Sequence, residues 1–190
     1  MIGYAVCGSF CTHARALETL RVLRSRGYEI QPIVSEIVYT TDTRFGRACD
    51  LIAELETLCG RAVIHTIAAA EPLGPKTPLE LLILAPCTGN TLAKMANGIT
   101  DTAPTMAAKA QLRADRPVLI GLASNDALSA NLQNIAVLRN RRHITFAPMA
   151  MDDPAGKPYS LVCDFQSVPD LAGRILDEYK DRGRQPFSHP

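Results

Sequence analysis

The run at residues 81–101, LLILAPCTGNTLAKMANGITD, constrains the fold more than any other part of the sequence. It opens with four large aliphatic residues and Ala85, which is too apolar for a strand with one face in water and is typical of a strand buried on both faces. Pro86 ends that strand. After a short polar turn, the apolar residues from Leu92 to Ile99 recur at the spacing of an amphipathic helix. The run therefore predicts a strand, turn and helix within a parallel sheet.

The turn between this strand and helix is a candidate ligand site. It contains Thr88, Gly89, Asn90 and Thr91, directly after Cys87. Open α/β sheets bind ligands at the carboxyl ends of their strands, and the free N–H groups at a helix amino terminus attract anions. An ordinary turn in which Thr88 only caps the helix is the alternative. The density of hydroxyl and amide side chains favours the ligand site.

Apolar and amphipathic segments alternate along the chain, and this alternation indicates the fold class. We expect the following strands: 1–7, 28–35, 62–67, 81–86, 117–124 and, as a final central strand, 144–148. We expect the following helices: 13–26, 47–58, 92–99, 103–110, 128–138 and 168–179. Residues 149–158 are expected to be a long turn-rich loop. The pattern predicts one α/β domain at residues 1–190 with three layers, a Rossmann-like or flavodoxin-like open parallel sheet with helices on both faces. Residues 183–190 are expected to form a frayed tail.

A second polar loop, Gly8-Ser9-Phe10-Cys11-Thr12, follows the first strand. It does not match the GxGxxG pattern, so dinucleotide binding is not indicated. Its backbone N–H groups, with the Ser9 and Thr12 hydroxyls, suit a single phosphate, although plain helix capping explains the same residues. Ser35 and the Ser124-Asn125-Asp126 turn end two other strands. We expect these loops to meet at one edge of the sheet and to bind a small phosphorylated ligand.

Composition narrows the classes of function. Lys+Arg 20 against Asp+Glu 19 leaves a net charge of +1, without the basic stripe that nucleic-acid binding requires. No apolar run reaches membrane-spanning length and no signal peptide is visible, so a cytoplasmic protein that binds no membrane is expected. The six cysteines lack paired spacing and the four histidines are scattered, so we expect reduced thiols and no metal site. The adjacent Asp152 and Asp153 are more typical of a solvated turn than of a metal site.

The string APCTGNTLAKMANGITD resembles the homo-oligomeric flavin-containing Cys decarboxylase family, whose members carry Ala-Pro-small-Ser/Thr-x-x-Thr-Leu/Ile-Ala and a closing Gly-x-x-Asp. The strings GSFCT, TRFG, AEPLGPKTPLE, MAAKA, RPVLIGLASNDAL and PMAMDDPAGKPYSLV narrow the resemblance to one branch of that family. Its members form an oxidoreductase with a separate NADP-binding, Rossmann-type subunit. That assembly makes a pyridine dicarboxylate in the mother cell of sporulating bacteria, and the resemblance implies the same partner, substrate class and location here.

The resemblance also implies residues that bind FMN. They are Gly8, Ser9, Phe10, Thr12, Ser35, Ala85, Pro86, Cys87, Thr88, Thr91 and Ser124. The Met-Trp substrate clamp of the decarboxylases is missing, since the chain has no tryptophan. Prenyl-transferring relatives place an arginine near the position of Ser124. Decarboxylation of a peptidyl cysteine and prenylation of flavin are both disfavoured.

Three hypotheses follow from this comparison. The chain is one subunit of an oxidoreductase, a stand-alone FMN-dependent decarboxylase of a small thiol substrate, or a non-catalytic scaffold for its partner. For the first, Lys94, Lys109 or Arg44 could supply positive charge to a dicarboxylate, and His13 is the candidate base. Small residues on the helix at 103–110, with Met95 and Met106, and the oligomers of the relatives favour a homo-oligomer.

Overall fold

A computed structural model describes residues 1–74 and 76–182 of the chain; the predicted tail at 183–190 lies outside these ranges. That residues 1–190 form a single domain stays a prediction. The sheet has seven strands: β1 (Ile2–Val6), β2 (Ile30–Val34), β3 (Leu82–Cys87), β4 (Val118–Ser124), β5 (Ile144–Phe146), β6 (Met149–Ala150) and β7 (Leu161–Cys163). The helices are α1 (His13–Ser25), α2 (Glu36–Thr40), α3 (Ala48–Cys59), α4 (Ile67–Ala70), α5 (Gly89–Ala96), α6 (Ala103–Arg113), α7 (Leu132–Arg139) and α8 (Val168–Arg182).

The strands run in the order β2-β1-β3-β4, all parallel, and β4 has two further neighbours. Its first half pairs with β5 in parallel, and its last two residues pair with β7 in the antiparallel sense. The outermost strand, β6, is antiparallel to β7. The order 2-1-3-4-5 of the parallel strands is that of a flavodoxin-like doubly wound sheet. The predicted fold class is confirmed, with the addition of an antiparallel hairpin that the sequence did not predict.

Alternate residues of the strands face two separate apolar cores, as expected for a sheet covered on both sides. In β1, Tyr4 contacts the core formed with α1, α3 and α8, whereas Ala5 contacts the core formed with α5, α6 and α7. Tyr4 also donates its hydroxyl proton to the Ala16 carbonyl at 2.9 Å, which ties β1 to α1.

Among the helices in the described ranges, none has the length and apolar character that crossing a membrane requires.

The connections after β1 and β3 leave these neighbouring strands toward opposite faces of the sheet. The helix that follows β1, α1, covers one face, and the helix that follows β3, α5, covers the other. A crevice opens at such a switch point, outside the carboxyl ends of the two strands. Where they end, the Cys7 N–H donates to the Pro86 carbonyl at 3.1 Å. The fold thus brings the Gly8–Thr12 loop and the turn at Thr88 to the same crevice.

The strand predicted at residues 62–67 is wrong. Only Ile64 bridges to Ile33 of β2, through two backbone hydrogen bonds of 2.9 and 3.0 Å. Thr66 then ends the extended segment, because its side chain accepts a hydrogen bond from the Ala69 N–H and caps α4. The local cap stops the extended pairing after one residue.

Two predictions in the last third of the chain also need correction. The helix predicted at 128–138 begins only at Leu132, because the Asp126 carbonyl accepts the N–H groups of Ser129 and Asn131 and folds residues 126–131 into turns. The strand predicted as central, 144–148, is the short β5, which pairs with β4 alone. Residues 149–158 are not only loop, since Met149 and Ala150 form β6 of the hairpin.

Candidate functional site

The loops that follow β1, β3 and β4 line one cavity of about 760 Å³ at the carboxyl edge of the sheet. This volume lies within the range of sites that hold a small molecule or cofactor. The convergence of the three loops, expected from the sequence, is confirmed. Of the residues predicted to bind FMN, Gly8, Ser9, Phe10, Thr12, Thr88 and Ser124 line this cavity.

The β1 loop is held in shape by its own hydrogen bonds. The Ser9 N–H donates to the Cys7 carbonyl at 2.8 Å, and the Thr12 hydroxyl donates to the Ser9 carbonyl at 2.8 Å. Thr12 is only 1% exposed, so its side chain fixes the loop. Phe10 to Thr12 form one turn of 3-10 helix, whose first N–H groups have no partner within the turn. Ser9 and these N–H groups are the donors that the loop offers to a ligand.

The β3 loop begins α5. The Thr88 hydroxyl accepts the Thr91 N–H at 3.3 Å and donates to the Thr91 hydroxyl at 3.2 Å, which confirms Thr88 as the helix cap. Ala85, Pro86 and Cys87 are the buried last residues of β3 and do not line the cavity; the strand continues one residue past Pro86, which was predicted to end it. Burial raises the pKa of Cys87 well above its ordinary value. This thiol is therefore neutral at physiological pH and is no nucleophile.

The Cys7 thiol, at the end of β1, is neutral for the same reason. Its side chain is fully buried, and burial raises its pKa to about 11. Both thiols at the ends of β1 and β3 are therefore neutral, and the polar groups that line the cavity belong to the loops.

The β4 loop carries a carboxylate into the cavity. Asp126 accepts the Ser124 hydroxyl on Oδ1 at 2.5 Å and the Asn131 amide on Oδ2 at 2.8 Å. The Asn134 amide donates in turn to Asn131 Oδ1 at 2.9 Å. These three supporting side chains are 6–8% exposed. Gly89 makes the arrangement possible, since a Cβ there would lie 2.4 Å from Ser124 Oγ and Asn131 Nδ2.

The loop between β6 and β7 completes the cavity on its open side. It contributes Asp152, Lys157, Tyr159 and Ser160 to the lining. Lys157 Nζ lies 3.3 Å from Asp152 Oδ2. A hydrogen bond from the Ser160 hydroxyl, followed by one from Lys157, lowers the pKa of Asp152. Asp152 is exposed in the loop, as expected for a solvated turn residue, and it also forms an ion pair with Lys157, whose side chain is 54% exposed.

The predicted cations have different positions. Arg44 lines the cavity, and its guanidinium lies 4.8 Å from the centre of the Phe45 ring. No carboxylate within residues 1–74 and 76–182 forms an ion pair with Arg44. Lys94 pairs with Asp101 at 2.8 Å beyond the last turn of α5, and Lys109 lines a separate groove between α5 and α6. The structure therefore brings Arg44 and Lys157 together at the site and leaves Lys94 and Lys109 outside it.

Ser35 lies at the carboxyl end of β2, as predicted. It is 8% exposed, and its hydroxyl has no hydrogen-bond partner in the described part of the chain. Ser35 is not among the residues that line the cavity, so its contact with a ligand stays a prediction. Potential metal ligands do not form a group of three or more among the described residues.

His13 lines a different cavity, of about 200 Å³, together with Val38 and Phe45. Its Nε2 lies 2.9 Å from the Cys7 carbonyl. Since a carbonyl only accepts, Nε2 carries the proton and Nδ1 is the free acceptor. The candidate base from the sequence is thus separated from the cavity that the three loops line.

The partly buried His13 should make the stability of the protein depend on pH. Burial lowers its pKa below the ordinary value of 6.5, so the unfolded chain binds the proton more readily than the folded chain. The free energy of unfolding should therefore fall as the pH falls through about 6.5. His13→Gln keeps a donor for the Cys7 carbonyl and removes the titration. Urea unfolding at a series of pH values should show a flatter profile for this variant, and identical profiles would contradict the assignment.

Two charged residues that line the cavity, Asp126 and Lys157, had no assigned role in ligand binding from the sequence. Asp126 was placed at the edge of the sheet, but nothing in the sequence indicated the buried amides that hold its carboxylate. Lys157 lies in a loop whose flanking strands have two and three residues, which is too short for a visible alternation of polar and apolar positions.

The sequence profile of the Flavoprotein family matches residues 1–173. The chain belongs to the Flavoprotein family. This membership agrees with the resemblance that the APCTGNTLAKMANGITD string carries.

Two relatives within the Flavoprotein family share the branch expected from the sequence. The B subunit of dipicolinate synthase from Bacillus subtilis (strain 168) is 40% identical over 175 residues, which cover 92% of this chain and 88% of that protein. The crystal structure of the B subunit of dipicolinate synthase from Bacillus halodurans has a TM-score of 0.84 and 37% identity, over 98% of this chain and 93% of the other. The FMN-dependent cysteine decarboxylase SpaF shares the fold, with a TM-score of 0.67, 23% identity and coverage of 93% and 95%.

Proposed function

We propose that this flavoprotein is the B subunit of a dipicolinate synthase. In this proposal its partner is an NADP-binding A subunit. Together they form dipicolinic acid from a dihydrodipicolinate-type precursor, in the cytoplasm of the mother cell during sporulation. The similarity to the B subunit of dipicolinate synthase over nine-tenths of the chain supports the assignment. The observation that carries the assignment is the single cavity that these loops line. Three loops bring hydroxyl groups to it, and two other loops bring Arg44 and Lys157.

The residues around the cavity fit FMN. Ser9 and the N–H groups at the start of the Phe10–Thr12 turn supply donors of the kind that a phosphate accepts, and the buried Ser35 hydroxyl at the end of the neighbouring strand β2 has no partner among the described residues. Together with Thr88, these residues would hold the cofactor, and a bound flavin would supply a two-electron acceptor. A titration of the purified protein with FMN, followed by flavin absorbance and fluorescence, tests the fit. Ser9→Ala and Ser35→Ala should each weaken the binding.

The cations and N–H donors of the site could bind the carboxylates of a substrate. Arg44 offers a planar guanidinium that can bind a carboxylate through two hydrogen bonds. Lys157 offers a second cation from a different loop. Because Lys157 pairs with Asp152 and Asp126 also lines the cavity, Arg44 is the cation that would contribute most to carboxylate binding, together with the N–H groups of the loops.

Arg44→Ala should weaken substrate binding more than turnover. Loss of one hydrogen-bonded charge costs about 1.5–3 kcal/mol, which corresponds to a KM raised about tenfold or more with kcat nearly unchanged. Steady-state kinetics of the complex with the A subunit measure both constants. Arg21→Ala is the matched control, because Arg21 pairs with Glu18 and Glu54 on the outer surface of α1 and α3. An equal effect of both variants would contradict a role for Arg44 in substrate binding.

The proposed function is tested by reconstitution. The A subunit is supplied with the dihydrodipicolinate-type precursor and NADP, with and without this chain, and dipicolinate is measured by its ultraviolet absorbance. We expect formation to depend on this chain. An equal rate without it would defeat the proposal.

A Ser9→Ala/Thr91→Ala double variant distinguishes a catalytic role from that of a scaffold. It removes one hydroxyl of the cavity and the Thr91 hydroxyl that Thr88 contacts, and it leaves the outer surface of the chain unchanged. Loss of activity with the complex intact supports a site that takes part in the reaction. Full activity would favour a chain that only holds the A subunit in an active assembly.

A further inference from the structure

We propose that Asp126 is the general base that removes the ring proton when the dihydropyridine dicarboxylate becomes aromatic. This inference rests on the proposed function of the site. It starts from one observation, which is that the cavity contains a carboxylate positioned by buried neutral donors on both of its oxygens.

Hydrogen bonds from neighbouring side chains hold the Asp126 carboxylate in one orientation, as is usual for a functional group. Ser124 binds one oxygen and Asn131 binds the other, and Asn134 orients Asn131 from behind. Each carboxylate oxygen has two lone pairs, so one on each oxygen stays available to a ligand. Two buried asparagines next to a catalytic cavity cost more to bury than apolar residues, and their use here fixes the carboxylate within the narrow geometry that proton transfer requires.

The other charged groups of the cavity, and the nearby His13, are less suited to the role. Asp152 is paired with Lys157, and the Ser160 hydroxyl lowers its pKa. Arg44 stays protonated, and Lys157 is a cation held by its carboxylate partner. His13 lines the smaller cavity and donates its Nε2 proton to the Cys7 carbonyl. Asp126 is the carboxylate of the cavity lining that has neutral partners on both oxygens.

The step balances in atoms and charge. Asp126 takes a proton from one ring carbon, and the electron pair of that C–H bond becomes part of the new ring double bond. A hydride leaves the neighbouring ring carbon and passes to the oxidised nicotinamide nucleotide of the partner subunit. The products are the aromatic dicarboxylate, the protonated Asp126 side chain and the reduced nucleotide. The proton then returns to water, since Asp126 is partly exposed at the cavity.

The experiment uses the complex of this chain with the A subunit, supplied with NADP and the dihydrodipicolinate-type precursor. Asp126→Asn should lower kcat about 10²–10⁴-fold, which is the usual contribution of a general base, with little change in KM. Asp101→Asn is the control, because Asp101 pairs with Lys94 outside the cavity. A rise in KM alone, or a kcat equal to that of the control, would overturn the inference.

A second variant separates a base from a structural carboxylate. Asn131→Leu keeps the size of the side chain and removes the donor to Asp126 Oδ2 without changing the cavity lining. Because the carboxylate then loses the donor that fixes one of its oxygens, kcat should fall while KM stays nearly unchanged. A kcat of the Asn131→Leu complex equal to that of the unchanged chain, or a rise in KM alone, would overturn the inference. If the unchanged chain fails to raise dipicolinate formation, the proposed function falls together with this inference; if only the variants behave as controls, the inference alone falls.

Discussion

Replacement of Tyr4 by alanine is expected to lower the free energy of unfolding by about 3–5 kcal/mol, the usual cost of removing a buried aromatic ring. Tyr4 has no exposed surface and lies in β1, between β2 and β3. The ring contacts the core formed with α1, α3 and α8. Urea unfolding followed by circular dichroism measures the change. The loop that follows β1 carries Gly8 and Ser9, so the proposed binding of FMN should weaken together with stability.

Tyr4→Phe is the matched control for this prediction. It removes only the hydroxyl, which donates to the Ala16 carbonyl at 2.9 Å. Burial raises the pKa of this phenol well above its ordinary value, so the group is a neutral donor throughout the physiological range. We expect a loss of about 1 kcal/mol in the free energy of unfolding. Equal losses for both variants would show that the ring contributes no packing energy, contrary to the prediction.

Replacement of Gly89 by alanine is expected to disrupt the cavity. The added Cβ would lie 2.4 Å from Ser124 Oγ and Asn131 Nδ2 and 2.8 Å from Asp126 Oδ1, so these groups have to move. Overpacking of this kind costs about 1–3 kcal/mol of unfolding free energy. A displacement of about 1 Å in a catalytic group can also lower the rate about 10²-fold. Denaturant unfolding measures the first effect, and the proposed formation of dipicolinate with an A subunit measures the second.

Gly173→Ala gives the opposite expectation for the same chemical change. Gly173 lies inside α8, where an added Cβ would make only an ordinary contact, 3.5 Å from the Tyr28 hydroxyl. Because alanine is a better helix former than glycine, the variant should be more stable by about 0.5–1 kcal/mol. A Gly89→Ala protein as stable and active as Gly173→Ala would show that the close approach at α5 has no role.

The sequence predicted the elements whose signal lies within themselves. Residues 82–87 and 118–124 are continuously apolar because both faces of β3 and β4 are buried, and this pattern is visible without a structure. The predicted strand at 62–67 has a similar composition, yet it forms one bridge to Ile33. The Thr66 cap begins helix α4 and stops the strand after one bridge. Composition alone does not show whether the extended pairing or the helix cap is stronger.

The site residues were predictable where their position follows directly from a parallel strand. A loop after a parallel strand lies at the ligand edge whatever its sequence, so Ser9, Thr88 and Ser124 could be placed before the structure was known. Lys157 could not, because its position depends on an antiparallel hairpin that pairs with the last two residues of β4. The partner of the Asp126 carboxylate, Asn131, could not be found either, since a turn of irregular backbone brings the two side chains together.

The β6–β7 hairpin adds a second stretch of the chain, far from the first in sequence, to the lining of the cavity. Gly8, Ser9 and Thr88 precede β4, whereas Asp152, Lys157 and Tyr159 follow β5 and reach the cavity only through the hairpin. A segment that joins the sheet at its margin can be exchanged without a new crossover or a new core. Grafting the stretch 151–160 from another member of the Flavoprotein family should therefore change the substrate that the proposed site accepts and leave the proposed phosphate binding by the Gly8–Thr12 loop unchanged.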